Sequence, residues 1–362
     1  MPIPPLYGHE GIRSRLVGAI ASGRLPQALL LEGPAGIGKQ RLGLWLAQAL
    51  VCEATGNPKG LPDGRGKGET GKGEPCGKCQ ACKLVLTLSH PDVHWFVPLE
   101  LSKKGDADKQ VDLVEEALGE EIAARRQQPL YEPPSGLASH GIAAVRLLLR
   151  SLVLTPALSR RKVFLIGDAE RLVPQTGAEA AANALLKALE EPPADTVFVL
   201  TTAVPDALLP TILSRVVRVR VARLPDSIVA AFAQRELGET GQRELAQRVA
   251  LADGRIGRLL ADGAGRARGA DAAERFLAAV EAGPVRRYEV ALGLQPFQAR
   301  GGFTDMLDGL LEQLRERART GSETEKVVEA IARVLEARDL AQGNVNPQLL
   351  AAVLADDLAE RA

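Results

Sequence analysis

Gly33-Pro34-Ala35-Gly36-Ile37-Gly38-Lys39 has the spacing G-x-x-x-x-G-K. In such a loop glycines turn backbone N–H groups toward a phosphate with no Cβ in the way, and the lysine reaches the β and γ phosphates. The residue after the lysine ordinarily offers a hydroxyl to Mg²⁺, and here it is Gln40. A companion apolar strand should end in Asp-Glu, the Asp holding magnesium and the Glu polarising the attacking water. Lys162-Val163-Phe164-Leu165-Ile166 supplies the strand but runs into Gly167-Asp168-Ala169-Glu170. Aligned without a gap, Gly167 stands at the Asp position and Asp168 at the Glu position; a one-residue slip instead lets Asp168 ligate directly. In the ungapped reading both protein ligands for magnesium are missing, and with them the neutralisation of charge on a transferred phosphoryl group. Hydrolysis at this loop is expected to be negligible even where nucleotide docks. The bland alternative is a Gly-rich turn that binds nothing.

Cys76-x-x-Cys79-x-x-Cys82 gathers three thiols into one turn, and Cys52, after the helix that follows the loop, offers a fourth. Four thiolates close a tetrahedral structural zinc site with no open position, a staple with no catalytic role. An iron–sulfur cluster is the rival, but its bacterial run wants a further Cys-Pro where Lys83-Leu84 follows. A cluster without metal is the third reading. His90 and His94 compete as ligands by type, although a histidine before Pro91-Asp92 reads as structural. With only four cysteines, three of them within seven residues, metal ligation in a reducing compartment suits better than disulfides.

The elements that must hold these groups follow from the apolar pattern. A short apolar run, Ala28 to Glu32, precedes the loop, and Leu42, Trp45, Leu46, Ala49 and Leu50 repeat at helical spacing after it. Further runs with the length of buried strands lie at Asp92–Val97, Val163–Ile166, Thr196–Thr201 and Val216–Val221. Helical patterns between them predict a mainly parallel sheet covered on both faces. From about Arg223 onward only helical spacing remains. At 362 residues the chain exceeds one hydrophobic core. The expected division is an α/β domain over 1–222, a helical domain over 223–268 and a second helical domain over 269–362, separated by glycine-rich breaks at Gly254–Gly257 and Gly263–Gly269. Glu53–Pro75, with seven glycines and three lysines, reads as a solvated loop. Leu99–His140, with a charged helix near Gln110–Arg126, reads as a second insertion, and both are taken as surface excursions without chemistry. No repeat of solenoid period is present.

Composition narrows the rest. Forty-five basic residues balance forty-five acidic ones, so bulk charge does not draw the chain to nucleic acid, and 3% aromatic residues leave few stacking platforms. No leader-like start and no run of about 18 apolar residues occurs, so a cytoplasmic location away from membranes is expected.

One further stretch is specific. Asn183-Ala184-Leu185-Leu186-Lys187-Ala188-Leu189-Glu190-Glu191-Pro192-Pro193, a strand ending Thr201-Thr202, and then Leu213-Ser214-Arg215 resemble, in order and spacing, the AAA+ subunits of the bacterial DNA polymerase III clamp loader. Gly8-His9-Glu10 and His90-Pro91-Asp92 are similar too, and the likeness covers roughly residues 6–262. The tail, with Gly343-Asn344-Val345-Asn346-Pro347-Gln348-Leu349-Leu350, resembles the family's collar more weakly.

This resemblance implies an α/β AAA+ P-loop domain with an inserted zinc module (52–82), followed by an all-α lid and an all-α collar. It implies zinc on Cys52, Cys76, Cys79 and Cys82, with ATP a permitted but dispensable ligand. Gly33, Gly36, Gly38, Lys39, Gln40 and Asp168 would form the vestigial nucleotide site, with Thr202 at the sensor-1 position and Arg258 at the sensor-2 position. Arg215 would be an arginine finger for a neighbour's ATP, with Val216 where the family has Cys. An ordinary surface cation is the alternative for Arg215, since Arg218, Arg220 and Arg223 lie nearby. Two subunit types share these motifs, the ATP-hydrolysing gamma/tau and the delta prime type with degenerate ATP sites. Gln40, Gly167 and the chain's length favour the latter. The implied role is a non-hydrolysing or weakly hydrolysing component of DNA polymerase III holoenzyme that joins gamma/tau and delta subunits in a hetero-oligomeric ring and helps load the sliding clamp on primed DNA at the replisome. An ATP-hydrolysing loader motor and a stand-alone P-loop phosphotransferase are the alternatives.

Overall fold

The computed structural model describes residues 2–55, 74–100, 107–130, 138–173, 179–260, 264–294, 302–319, 324–341 and 345–359. Most of the Glu53–Pro75 loop, parts of the 99–140 insertion and Gly343-Asn344 lie outside the described residues. Two compact units emerge, one carrying residues 1–134 and 138–260, the other 261–362.

The first unit opens with α1 (Glu10–Ala21), β1 (Ala28–Glu32), α2 (Lys39–Val51), α3 (Gln80–Leu86) and β2 (Val93–Phe96). It continues with α4 (Ala107–Gln127), α5 (Ile142–Leu152), β3 (Lys162–Ile166), α6 (Ala180–Glu190), β4 (Thr196–Thr202), α7 (Pro210–Leu213) and β5 (Val217–Arg220). Three helices close it, α8 (Asp226–Glu236), α9 (Gln242–Ala252) and α10 (Ile256–Leu260). The five strands form one sheet in the order β2-β3-β4-β1-β5, parallel throughout. All five apolar runs read from the sequence are strands, because the alternation of side chains in a parallel sheet buries both faces. Leu29, Leu31, Val163, Leu165, Val197 and Val199 meet α1 and α2 residues on one face. On the other, Leu30, Phe164, Ile166, Phe198 and Leu200 meet α5 and α6. Leu224, Val229, Phe232, Leu245, Val249 and Leu259 form the core of α8–α10. Tyr7 packs edge-on against Phe232 at 5.2 Å and donates a hydrogen bond of 2.6 Å to Glu236, tying these helices to the N-terminal segment.

The charged helix read from the sequence is α4, but it is no surface excursion. Val111 and Val114 are buried in the core shared with α5, and Arg125 is 2% exposed.

The second unit packs α11 (Ala264–Glu281), α12 (Pro284–Leu292), α13 (Gly302–Arg319), α14 (Thr324–Leu340) and α15 (Pro347–Ala359) around Phe276, Leu307, Leu310, Val334 and Leu354. Gly265 and Gly269, expected to mark a break, lie inside α11. A Cβ on Gly269 would sit 2.6 Å from the Asp305 carbonyl oxygen, and one on Gly309 would sit 2.5 Å from that of Gly269. These glycines permit a close crossing of α11 and α13, so their small size serves packing and not chain reversal.

Candidate functional site

The phosphate loop lies between β1 and α2. Gly36 and Gly38 adopt φ of +79° and +88°, the left-handed region that L side chains avoid, so glycine is required there by conformation. The Lys39 side chain folds back over the loop, its Nζ donating to the carbonyls of Gly33 at 2.9 Å and Pro34 at 2.8 Å. Burial holds its pKa below the ordinary lysine value, against the opposing charges of Glu170 and Asp168. His9 Nε2 donates to the Ile37 carbonyl at 2.8 Å from the other side. The α8–α10 helices close over the same loop: Gly257 N–H donates to the Gly36 carbonyl at 2.8 Å, and a Cβ on Gly257 would sit 2.7 Å from Gly36 Cα.

The space beside Gly167 is filled by the Gln40 side chain. Gln40 Nε2 donates to Asp168 Oδ2 at 3.1 Å, and Gln40 Oε1 accepts from Trp95 Nε1 at 3.1 Å. A Cβ on Gly167 would fall 2.6, 2.7 and 2.9 Å from Gln40 Oε1, Cδ and Nε2. The Gln40 amide therefore occupies the volume that any side chain at 167 would enter. The insertion supports it from two directions. Arg125 of α4 lies 4.5 Å over the Trp95 ring while its Nε donates to Glu121 at 2.9 Å, and His140 Nε2 donates to the Gly167 carbonyl at 2.6 Å.

Asp168, at φ 49°, receives the Gln40 amide, and its own N–H donates to Thr201 Oγ1. Glu170 Oε1 accepts from Ala203 N–H at 3.1 Å, while its buried Oε2 has no partner among the described residues. Burial first, and then the Asp168 charge, raise its pKa. Thr202, at the end of β4, is fully buried, and its hydroxyl accepts from Val204 N–H at 3.1 Å. The Arg258 guanidinium donates to the Leu251 carbonyl on α9 at 3.2 Å, and its helix neighbour Gly257 is the residue that packs on Gly36.

The cysteines converge. Cys52 ends α2 in an extended conformation and Cys79 caps the start of α3, its Sγ accepting from Cys82 N–H. The four Sγ atoms of Cys52, Cys76, Cys79 and Cys82 lie within 4.8 Å of one another, with Cys76–Cys82 at 3.9 Å and Cys79–Cys52 at 4.0 Å. Tetrahedral zinc with bonds of about 2.3 Å sets sulfurs about 3.8 Å apart, so the donor set fits. Backbone N–H groups of Cys76 and Cys79 each point at a sulfur at 3.4 Å, the second layer that a thiolate cluster needs. His90 and His94 stand apart from this cluster. His90 Nδ1 accepts from Asp92 N–H, and the His94 ring stacks on Phe164 at 4.8 Å.

Arg215 follows α7 and precedes β5. Its Nη1 donates to the Thr211 carbonyl at 2.9 Å and Ser214 Oγ at 3.3 Å, and its Nη2 to Glu190 Oε1 at 3.1 Å. Its neighbours have other partners: Arg218 and Arg220 share the buried Glu32 carboxylate, and Arg223 pairs with Asp253.

The sequence profile of the family described as "DNA polymerase III, delta subunit" matches residues 8–225, from the turn at Gly8 through β5. The chain belongs to this family. Among curated relatives, DNA polymerase III subunit delta' of Pseudomonas aeruginosa is 34% identical over 191 residues, 53% of this chain and 42% of that protein. Those of Escherichia coli K12 and Bacillus subtilis 168 are 29% and 32% identical, over 62% and 55% of this chain and 50% and 43% of theirs. The matched segment thus spans half or less of each relative's length. A gamma subunit-related protein from Thermotoga maritima covers 98% of this chain at 18% identity with a TM-score of 0.42, too loose to add to the sheet topology. Family membership brings with it the AAA+ P-loop class, to which the parallel five-stranded sheet and helical remainder conform.

Five residues of the site were not read from the sequence: Trp95, Arg125, His140, Arg255 and Gly257. Trp95 and Arg125 carried no local signal, since an indole in a buried strand and an arginine on a charged helix are unremarkable until the two elements meet. The glycine pair Gly254 and Gly257 was visible as a break, but its close approach to Gly36 was not.

Proposed function

We propose that this delta-subunit-family chain acts as the delta prime subunit of a bacterial clamp loader, a member that does not hydrolyse ATP itself and assists its neighbour's hydrolysis. The observation that carries this reading is the Gln40 amide packed over Gly167, held by Trp95 and Asp168. A nucleotide phosphate at the loop would meet an amide where a hydroxyl usually holds Mg²⁺, with the Asp168 carboxylate already engaged by that amide, and without the cation the charge developing in phosphoryl transfer lacks its usual counter-ion. Two of the three Lys39 donors already go to the loop's own carbonyls.

In this reading Arg215 supplies the missing contribution in trans. A permanently charged planar fork suits a partner's γ-phosphate, and such a finger contributes about 10³ to 10⁵ in rate, or about 4 to 7 kcal/mol of barrier. The partners would be gamma/tau-type and delta subunits in a ring with the sliding clamp and primed DNA, with residues 269–362 as the collar. Zinc on Cys52, Cys76, Cys79 and Cys82 would tie the end of α2 to the start of α3. No described helix is long and apolar enough to cross a membrane, in keeping with a replisome location.

The test is a reconstituted loader carrying Arg215→Ala. DNA-stimulated ATP turnover should fall at least a hundredfold, while the isolated wild-type chain shows no magnesium-dependent phosphate release. A motor-like rate from the purified chain alone would refute the reading.

A further inference from the structure

We propose that Glu190 is the stand-in anion for Arg215: its carboxylate holds the guanidinium in a stored position and is displaced when a neighbouring subunit's phosphate arrives. This rests on the reading of Arg215 as a residue that acts in trans. Three observations lead to it. First, the two ends of the guanidinium are treated differently. Nη1 is anchored to neutral acceptors of the α7 turn, the Thr211 carbonyl and the Ser214 hydroxyl, while Nη2 alone meets a charged group, Glu190. Second, the fork that grips an oxyanion is the Nε/Nη2 edge, because those two N–H vectors run parallel. Here that edge is half used: Nη2 donates to Glu190, and Nε is buried with no partner among the described residues. Leaving a charged donor unpaired favours exchange for an anion that can take both tines, as two phosphate oxygens do. Third, the ion pair is cheap to break. Glu190 is the last residue of α6, its side chain is 58% exposed against 28% for Arg215, and exposed pairs of this kind contribute little to stability.

The arrangement also keeps the arginine from collapsing elsewhere. α6 is fixed by the buried Ala181, Ala182, Leu185, Ala188 and Leu189 along one face, and the segment after it is pinned where Gln27 Nε2 donates to the Pro193 carbonyl at 2.7 Å. Glu190 is thus presented at a constant place. It is a positioning residue that competes with phosphate for one fork, so its charge should raise the nucleotide concentration at which the neighbour is engaged.

The experiment uses the assembled loader with this chain as wild type, Glu190→Gln, Glu191→Gln, Arg215→Ala, or Glu190→Gln with Arg215→Ala. DNA-stimulated turnover is measured against ATP concentration at about 50 and 300 mM salt. Glu190→Gln should lower the half-saturating ATP concentration three- to tenfold at low salt, with a smaller change at high salt. Glu191→Gln, an exposed carboxylate one position on, should leave it unaltered, and the double variant should match Arg215→Ala. Half-saturation that is unmoved or raised by Glu190→Gln, in a loader that Arg215→Ala inactivates, overturns the stand-in role alone. Turnover indifferent to Arg215→Ala overturns the finger reading beneath it.

Discussion

Replacing Gly167 by alanine adds one methyl group to the centre of the proposed dead site, and the consequence can be worked from the contacts of Gln40. The new Cβ would stand 2.6 Å from Gln40 Oε1, and ordinary van der Waals contact begins at 3.4 Å, so the amide must retreat by about 0.8 Å. A shift of that size breaks the hydrogen bonds to Trp95 and Asp168, each 3.1 Å long at the start. Each bond contributes about 1 kcal/mol, for a total loss near 2 kcal/mol. The backbone at 167 sets no further penalty, since its φ is not positive. Gln40→Thr removes the amide and with it the obstruction, so the double variant should be more stable than the sum of the two single changes predicts, by about 1–3 kcal/mol. Urea unfolding of all four proteins in zinc-containing buffer closes the cycle. The same logic extends to function: Gly167→Asp alone should not yield magnesium-dependent nucleotide binding, whereas Gln40→Thr with Gly167→Asp should. Additive single effects, or a Gly167→Ala variant as stable as wild type, would refute the claim that Gln40 fills this position.

Two further outcomes follow from other parts of the molecule. Metal analysis of the purified chain should find one zinc per chain, and Cys82→Ser, which removes a buried ligand, should abolish that stoichiometry and lower the melting temperature by 10 °C or more. Burial pushes the His94 imidazole down to about 4 from its ordinary 6.5, so the folded protein refuses a proton that the unfolded chain accepts. The stability this contributes is complete above about pH 6.5 and is lost as the pH falls toward 4, by about 3 kcal/mol. His94→Gln should flatten the difference curve over that window, and parallel curves for the two proteins would remove the assignment.

The fold was legible wherever the signal is periodic and local. Buried parallel strands demand apolar residues on both faces, so Leu29-Leu30-Leu31 and Val197-Phe198-Val199 announce themselves without any partner strand in view. The loop from Gly33 to Lys39 and the turn from Cys76 to Cys82 are equally self-contained, because backbone conformation and ligand geometry are set within a few residues. Gly269 misled for the same reason: a glycine's local meaning is chain reversal, and only the approach of α13 turns it into a packing surface.

What composition and spacing alone determined about this protein is its chemistry by type: an α/β P-loop scaffold, a four-cysteine cluster, and a phosphate loop followed by Gln40 where a hydroxyl is usual. Tertiary structure decided what that glutamine meets. Trp95 from β2 reaches Gln40, Arg125 from α4 reaches Trp95, His140 ahead of α5 reaches the Gly167 carbonyl and Gly257 from α10 reaches the loop, across separations that no periodicity encodes. Side-chain meetings of this kind depend on register and on helix phase, where a slip of one residue turns a helical group by about 100°.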